Sequence, residues 1–214
     1  MIGLSAYYRI EQRKRKTAMS FGVQSMSVEN EHWYYGTATR KEIVLTNIRE
    51  ERLEDIVATR RVNIEAFGRP HEANLIESLR ANAGILLSLV ATLGDEVVGH
   101  ILYSAVIEGS GKKKIAGAGL GPIAVLPTYQ RRGVGTKLIE FGTMRLKESG
   151  CPFVVVLGHT AYYPRFGFRP ARDYGLKCEW SVPDNAFMAL VLDESKIREL
   201  PGSVKYRQEF ASVV

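Results

Sequence analysis

Cysteine is scarce in this chain: Cys151 and Cys178 are the only two among 214 residues, with no Cys-x-x-Cys pair and no histidine at ligand spacing. That excludes a disulfide framework and a zinc site, and it suits a reducing compartment, read here as the cytoplasm. As a lone thiol, Cys151 reads as a small hydrophobe rather than a nucleophile. Long apolar runs are also missing. The longest, Gly84 to Leu93, falls well short of the roughly 20 residues that cross a bilayer and reads as a buried strand. A soluble protein without a membrane partner is expected, and no secretory apolar segment is present. One-sided charge is lacking where it would matter. The formal net charge is +6, but residues 1–40 carry six basic and three acidic side chains, leaving the body at +3 with 23 basic and 20 acidic. Such a body does not read as a nucleic-acid binder.

What is present fits one globular domain with an appendage: 45% hydrophobic residues are ample for a core in a chain of this length. Residues 1–40 form an irregular basic leader containing Arg13-Lys14-Arg15-Lys16. Its first 22 residues hold a single acid, Glu11, as a cleaved transit peptide would. Met19 and Met26 also allow a later start. The absence of any pattern favours an unstructured extension. A single domain is expected over 41–214.

From Lys41 the periodicity becomes regular. Ile43-Val44-Leu45 opens a strand ending near Arg49, and Leu53, Ile56, Val57, Ile64 and Phe67 fall on a helical stripe. Gly68-Arg69-Pro70 ends that helix, and Leu75, Ile76 and Leu79 mark a second. Leu86 to Leu93 turns at Gly94-Asp95 into Val97 to Ile107, which is hairpin chemistry. A Gly109-to-Lys114 loop leads into Ile115 to Val125; its Lys112-Lys113-Lys114 reads as a solvated tip. Gly133 to Ser149 reads as a helix with Val134, Leu138, Phe141 and Leu146 inward. Phe153 to Leu157 is a β-branched run covered on both faces. A short helix over Ala161 to Phe166, a strand over Phe187 to Leu192, and a tail with Val204, Tyr206 and Phe210 complete the pattern. Antiparallel strands followed by strand–helix–strand predict an α+β fold, with helices on both faces of a mixed sheet.

The chemistry concentrates at Gln130-Arg131-Arg132-Gly133-Val134-Gly135-Thr136, between a strand and a helix. A helix start offers unpaired N–H groups and a positive dipole end that hold phosphate. Gly133 and Gly135 let a diphosphate approach the backbone, and Arg131 and Arg132 add charge. A Walker loop is excluded because Gly135-Thr136-Lys137 has the wrong order. Gly117-Ala118-Gly119-Leu120-Gly121 fails as a dinucleotide fingerprint because its third glycine falls on Pro122.

Gln130 to Gly135 matches the Q/R-x-x-G-x-G/A coenzyme signature at every fixed position, and Tyr163-Pro164-Arg165-Phe166-Gly167-Phe168 matches a second block, Tyr-x-x-x-Gly-Phe. The chain thus resembles the GNAT superfamily of N-acetyltransferases. Leu157 to Ala171 and the Gly99-His100-Ile101 strand resemble its YhbS-like branch. The resemblance runs from about Ile43 to Phe210. It implies a mostly antiparallel central sheet flanked by helices, whose fourth and fifth strands splay apart, and acetyl-CoA as co-substrate without a metal. Pro122, Gly119 and Gly121 fit a local loss of strand pairing there.

What the resemblance implies for mechanism is direct attack of a primary amine on the thioester. Tyr163 is the matching general acid for the departing thiolate, with Tyr162 as the alternative. The strand Ile123-Ala124-Val125 contacts the acyl group, the backbone N–H groups of Ile123 and Val125 being the candidates for the oxyanion. Residues 130–136, Val134 and Thr136 included, hold the diphosphate; Arg165 and His159 border the channel. Glu65, late in the first helix, is the candidate base. His100 is a second candidate that reads better as a structural histidine, and bulk water could take the proton instead. A possible homodimer is implied, the amine is left open, and a non-catalytic acyl-CoA-binding regulatory module is the competing reading.

Overall fold

The Gly94-Asp95 turn closes an antiparallel hairpin, as its composition predicts, and that hairpin makes two adjacent strands of the sheet. The computed structural model describes residues 47–108, 115–197 and 202–212, all within one compact unit. Its strands are β1 (Asn47–Glu50), β2 (Ile85–Leu93), β3 (Glu96–Glu108), β4 (Ile115–Val125), β5 (Phe153–Leu157), β6 (Arg169–Pro170), β7 (Leu176–Cys178), β8 (Phe187–Val191) and β9 (Gly202–Lys205). Its helices are α1 (Ile56–Phe67), α2 (His71–Ala81), α3 (Val134–Glu148) and the one-turn α4 (Glu194–Ile197).

The strand order is β1-β2-β3-β4-β5-β8-β6, with β9 joining β3 at Ile107 and Glu108 and carrying β7. Only β4–β5 and β7–β9 run parallel. The sheet is therefore mixed and mostly antiparallel, and the fold is α+β. A parallel β4–β5 pair needs a crossover, and α3 supplies it. The side chains of Val154 and Val156 on β5, and Leu138 and Ile139 on α3, are all buried in one cluster. A second cluster gathers Val106, Phe153, Val155, Leu176, Phe187 and Val204.

Alternation along β3 assigns the helices to faces. A Cβ on Gly99 would meet Val134 and Leu138 of α3 at 3.0 and 3.2 Å. The next residue, His100, points the other way and meets Asn63 of α1. Helix α3 thus covers one face and α1 the opposite one.

Along β4, pairing with β5 covers only Ala118, Gly119 and Leu120, opposite Val154, Val155 and Val156. At the next residues, Gly121 and Pro122, the β3–β4 register slips by a bulge. Beyond it, Ile123, Ala124 and Val125 still pair with Ile101, His100 and Gly99 but have no β5 partner. The fourth and fifth strands splay at this point.

Two sequence expectations are corrected. The inward stripe of the first helix is not Leu53, Ile56, Val57, Ile64 and Phe67: Leu53 and Val57 are 85% and 82% exposed. The buried residues of α1 are Thr59, Val62 and Asn63; a polar side chain such as Asn63 can face the sheet because its amide nitrogen finds hydrogen bonds there. The helix expected over Ala161 to Phe166 is a single 3₁₀ turn, Tyr163–Phe166. Pro164 provides no N–H, and the left-handed Gly167 (φ 88°) ends the turn after four residues. In the tail, β9 ends at Lys205, before Tyr206. Ile43-Val44-Leu45, the basic leader and Lys112-Lys113-Lys114 lie outside the described residues. Among the described residues no helix is long and apolar enough to cross a membrane.

Candidate active site

The open half of β4 leads directly into the start of α3. Leu126 ties this corner down by donating its N–H to Val98 O at 3.0 Å, and a 3₁₀ turn, Pro127–Tyr129, follows. Gln130 folds back, its Nε2 donating to Val125 O at 3.0 Å, so this signature residue fixes the loop to the end of β4. Arg131 sits at φ 62° and Gly133 at φ 85°, a left-handed pair of bends that turns the chain into the helix. The first i→i−4 bond of α3 runs from Lys137 N to Gly133 O, which leaves the N–H groups of Val134, Gly135 and Thr136 in the unpaired first turn.

The two glycines do different work. A Cβ on Gly133 would meet nothing within 4 Å, so that face of the turn is open to a ligand. A Cβ on Gly135 would lie 2.9 Å from the Tyr162 hydroxyl and 3.9 Å from Ile123 and Val125. Gly135 thus admits the tyrosine and seats the helix start over the unpaired stretch of β4. Arg131, Arg132 and Gly133 are exposed, Val134 is buried and Ala124 is buried beneath the strand. A backbone cradle, an open turn and two exposed guanidinium groups fit a diphosphate.

Tyr162 and Tyr163 part company. Tyr163 is buried, edge-on to Phe168 at 5.6 Å between ring centroids, and its ring lies where a Cβ on Gly158 would collide. Gly158 directly follows β5, so Tyr163 stands at the β5 wall of the splay. Tyr162 is half-buried, with its hydroxyl toward Gly135 and the Arg165 guanidinium stacked 4.0 Å above its ring. Arg165 and His159 are exposed beside them, and His159 Nδ1 accepts from Ala161 N at 3.4 Å.

The basic candidates do not gather at this opening. Glu65 is 49% exposed and lies 3.9 Å from Arg61. Two residues past Asn63, it is turned about 200° around the helix, away from the sheet. His100 is fully buried with both ring nitrogens engaged. Asn63 Nδ2 contacts its Nδ1 at 3.1 Å, and Ser88 Oγ lies 2.9 Å from its Nε2. Ser88 in turn donates to Glu51 at 2.6 Å, and Arg80 holds both Glu51 oxygens at 3.0 Å. Burial pushes the imidazole down to about 4 against the pull of Glu51, so it is neutral at physiological pH. Burial also raises the Glu51 carboxyl, but Ser88, His100 and Arg80 outweigh it and hold the group below the ordinary carboxylate range. Cys151 donates to Phe153 O, and burial raises its thiol, which makes it a poor nucleophile.

Glu51, Arg80, Ser88 and Asn63 were not singled out from the sequence. The available signal was the Thr59–Asn63 spacing, two polar residues four apart on the helix that packs against the sheet.

A family model described as an acetyltransferase (GNAT) domain matches residues 47–171, more than half of the chain. The chain belongs to the GNAT acetyltransferase family. Over 129 residues it is 42% identical to the uncharacterized N-acetyltransferase YjhQ of Escherichia coli K12, covering 58% of this chain and 71% of that protein. The crystal structure of the GNAT family N-acetyltransferase YhbS from Escherichia coli, in complex with CoA, superposes with a TM-score of 0.73 at 30% identity, covering 78% of this chain and 92% of that one. A GNAT family acetyltransferase from Brucella melitensis, in complex with acetyl-CoA, superposes with a TM-score of 0.63 at 33% identity, covering 78% and 99%.

Proposed function

We propose that this GNAT protein transfers an acetyl group from acetyl-CoA to a primary amine by direct attack, with Tyr163 protonating the leaving thiolate. The observation that carries the reading is the opening between β4 and β5 beyond Leu120 and Val156, roofed by the glycine-bearing first turn of α3. Two similar proteins hold CoA or acetyl-CoA in their crystal structures, which supports the same ligand here.

Acetyl-CoA would supply the acyl group as a thioester. The chain's residues have three tasks. The first turn of α3, with Arg131, Arg132 and Thr136, holds the diphosphate, and Arg165 lies at the rim. The stretch Ile123-Ala124-Val125, unpaired on its β5 side, offers backbone N–H groups to the thioester oxygen, where negative charge builds as the amine attacks. Tyr163, at the other wall, gives its phenolic proton to sulfur as the carbon–sulfur bond breaks and regains one from solvent. The proton lost by nitrogen goes to water, because neither Glu65 nor His100 faces the opening. Two free thiols suit a reducing, cytoplasmic setting.

The test is a panel of primary amines with acetyl-CoA, read by release of free thiol, alongside calorimetric titration of CoA. Thiol release that depends on the amine is expected. Coenzyme binding with no release for any amine would leave the regulatory acyl-CoA-binding module standing instead, and absence of coenzyme binding would sink both.

A further inference from the structure

The loop that leads into α3 is held from outside by a carboxylate with a separate task for each oxygen. Glu96 opens β3; its Oε2 accepts the Tyr129 hydroxyl at 3.1 Å, and its Oε1 accepts Nη2 of Arg61, on α1, at 3.3 Å. Tyr129 closes the 3₁₀ turn Pro127–Tyr129, immediately before Gln130. Its ring is half-buried against the larger core cluster, and its N–H donates to Leu126 O at 2.8 Å, so ring and backbone are both fixed. The hydrogen bond to Glu96 raises the phenol above its ordinary range, which keeps the hydroxyl a donor at physiological pH; a smaller pull the other way comes from Arg132.

That opposing pull has a geometric source. The Arg132 guanidinium lies over the Tyr129 ring, 5.9 Å from its centroid. A cation at that distance is still drawn to the negative face of the ring, and a hydrogen bond to a carboxylate makes that face richer in electrons. Arg131 has no ring or carboxylate contact among the described residues. The two neighbouring arginines are therefore unequal. Both are exposed, but Arg132 alone is steadied by a ring, and its backbone is set between left-handed bends at Arg131 and Gly133. It stands beside Gly133, whose outer face is open. An arginine loose in solvent loses rotamer freedom when it grips a phosphate; one already resting on a ring loses less.

We infer that Tyr129, tethered by Glu96, is a positioning residue of the coenzyme site, holding Arg132 at the mouth of the α3 turn ready for the diphosphate. The inference rests on the acetyl-CoA reading and deepens it by giving the two arginines of the loop different parts. Arg132 is the preorganised one, and Arg131 contributes charge alone.

A double-mutant cycle read by calorimetric titration of CoA tests this, because a loosened loop and a ring lost from beneath one arginine leave different signatures. Tyr129→Leu removes ring and tether while filling the half-buried site. It is expected to raise Kd for CoA by about two- to fivefold, the range for one exposed cation over a ring. In an Arg132→Ala background the same change should raise Kd by less than about 1.5-fold, whereas in an Arg131→Ala background the full rise should return. Tyr129→Phe, which keeps the ring and drops the tether, should fall between Tyr129→Leu and wild type. Glu96→Gln, whose amide oxygen still accepts the hydroxyl, should bind CoA as wild type does. Melting temperatures check folding, and Glu96→Ala, which leaves the core untouched, supplies the same cycle should Tyr129→Leu unfold. An equal rise in all three backgrounds, or no rise in the wild-type background, would overturn the inference and leave the diphosphate assignment intact. Failure of the wild-type protein to bind CoA would strike the coenzyme reading and this inference together.

Discussion

The two sides of the open half of β4 are built in opposite ways. On the α3 side the working atoms are backbone: a first turn of unpaired N–H groups, a glycine at φ 85° facing open space, and exposed guanidinium groups. On the α1 side they are side chains, buried and locked to one another from Arg80 through Glu51, Ser88 and His100 to Asn63. A diphosphate carries spread charge and is recognised by many similar donors; a buried chain of side chains instead holds helix and sheet together. The difference implies that substitutions on the first side act on coenzyme affinity, and those on the second on stability.

The sharpest break of that comparison lies at the α3 turn. Gly133→Glu would put a carboxylate where phosphate is expected, on a backbone that side chains rarely adopt. Gly135→Glu would collide with the Tyr162 hydroxyl. CoA affinity should fall by at least about a hundredfold in either variant, measured by calorimetry, with the melting temperature showing that the fold persists. Normal affinity in a folded variant would remove the turn from the phosphate site.

Next in size is Tyr163→Phe. Loss of a general acid costs about a hundred- to ten-thousandfold in turnover, and CoA affinity should remain, since the ring and its packing against Phe168 are kept. Tyr162→Phe keeps the stacking ring under Arg165 and should lower turnover far less. Reversal of the two effects would assign the acid to the residue whose hydroxyl faces Gly135.

How the sequence divides between these two sides follows from contact range. The strand–turn–helix geometry of the candidate coenzyme side was legible because seven consecutive residues make the turn, and a strand, a turn and a helix start leave their mark in glycine spacing and apolar period. Most of the sheet was legible for the same reason, down to the ends of β5 and β4. The α1 side was not, because Glu51, Asn63, Arg80, Ser88 and His100 come from β3, β2, both helices and the segment after β1. The inward stripe of α1 was misplaced by the same logic: hydropathy assigned Leu53 and Val57 to the core, whereas Asn63 faces it with its amide nitrogen bonded to His100 of β3. Tyr163 was found by its spacing from Gly167, but its burial beneath Gly158 was beyond any local pattern.

The locked side should announce itself in acid. Folded His100 titrates at about 4 against 6.5 for the free side chain. Between those values the unfolded chain holds a proton that the folded chain lacks, so stability falls as pH drops through that window, by up to about 3 kcal/mol. Glu51, held below its ordinary range, adds to the loss at the acid end. Denaturant titrations from neutrality down to about pH 5 should show this decline in wild type and a shallower one in His100→Gln, which keeps a donor toward Ser88 but cannot ionise. Equal slopes would mean that the network does not hold the ring neutral.

The smallest effect belongs to Glu65, which the family resemblance offers as a base. It lies on the outer side of α1, half-exposed beside Arg61 at 3.9 Å, a pairing of the kind worth less than about 1 kcal/mol. Glu65→Gln should leave turnover within twofold at every pH and stability within about 0.5 kcal/mol. A tenfold loss of turnover, steepest at low pH, would restore Glu65 as the base and show that the outer side of α1 faces the acceptor.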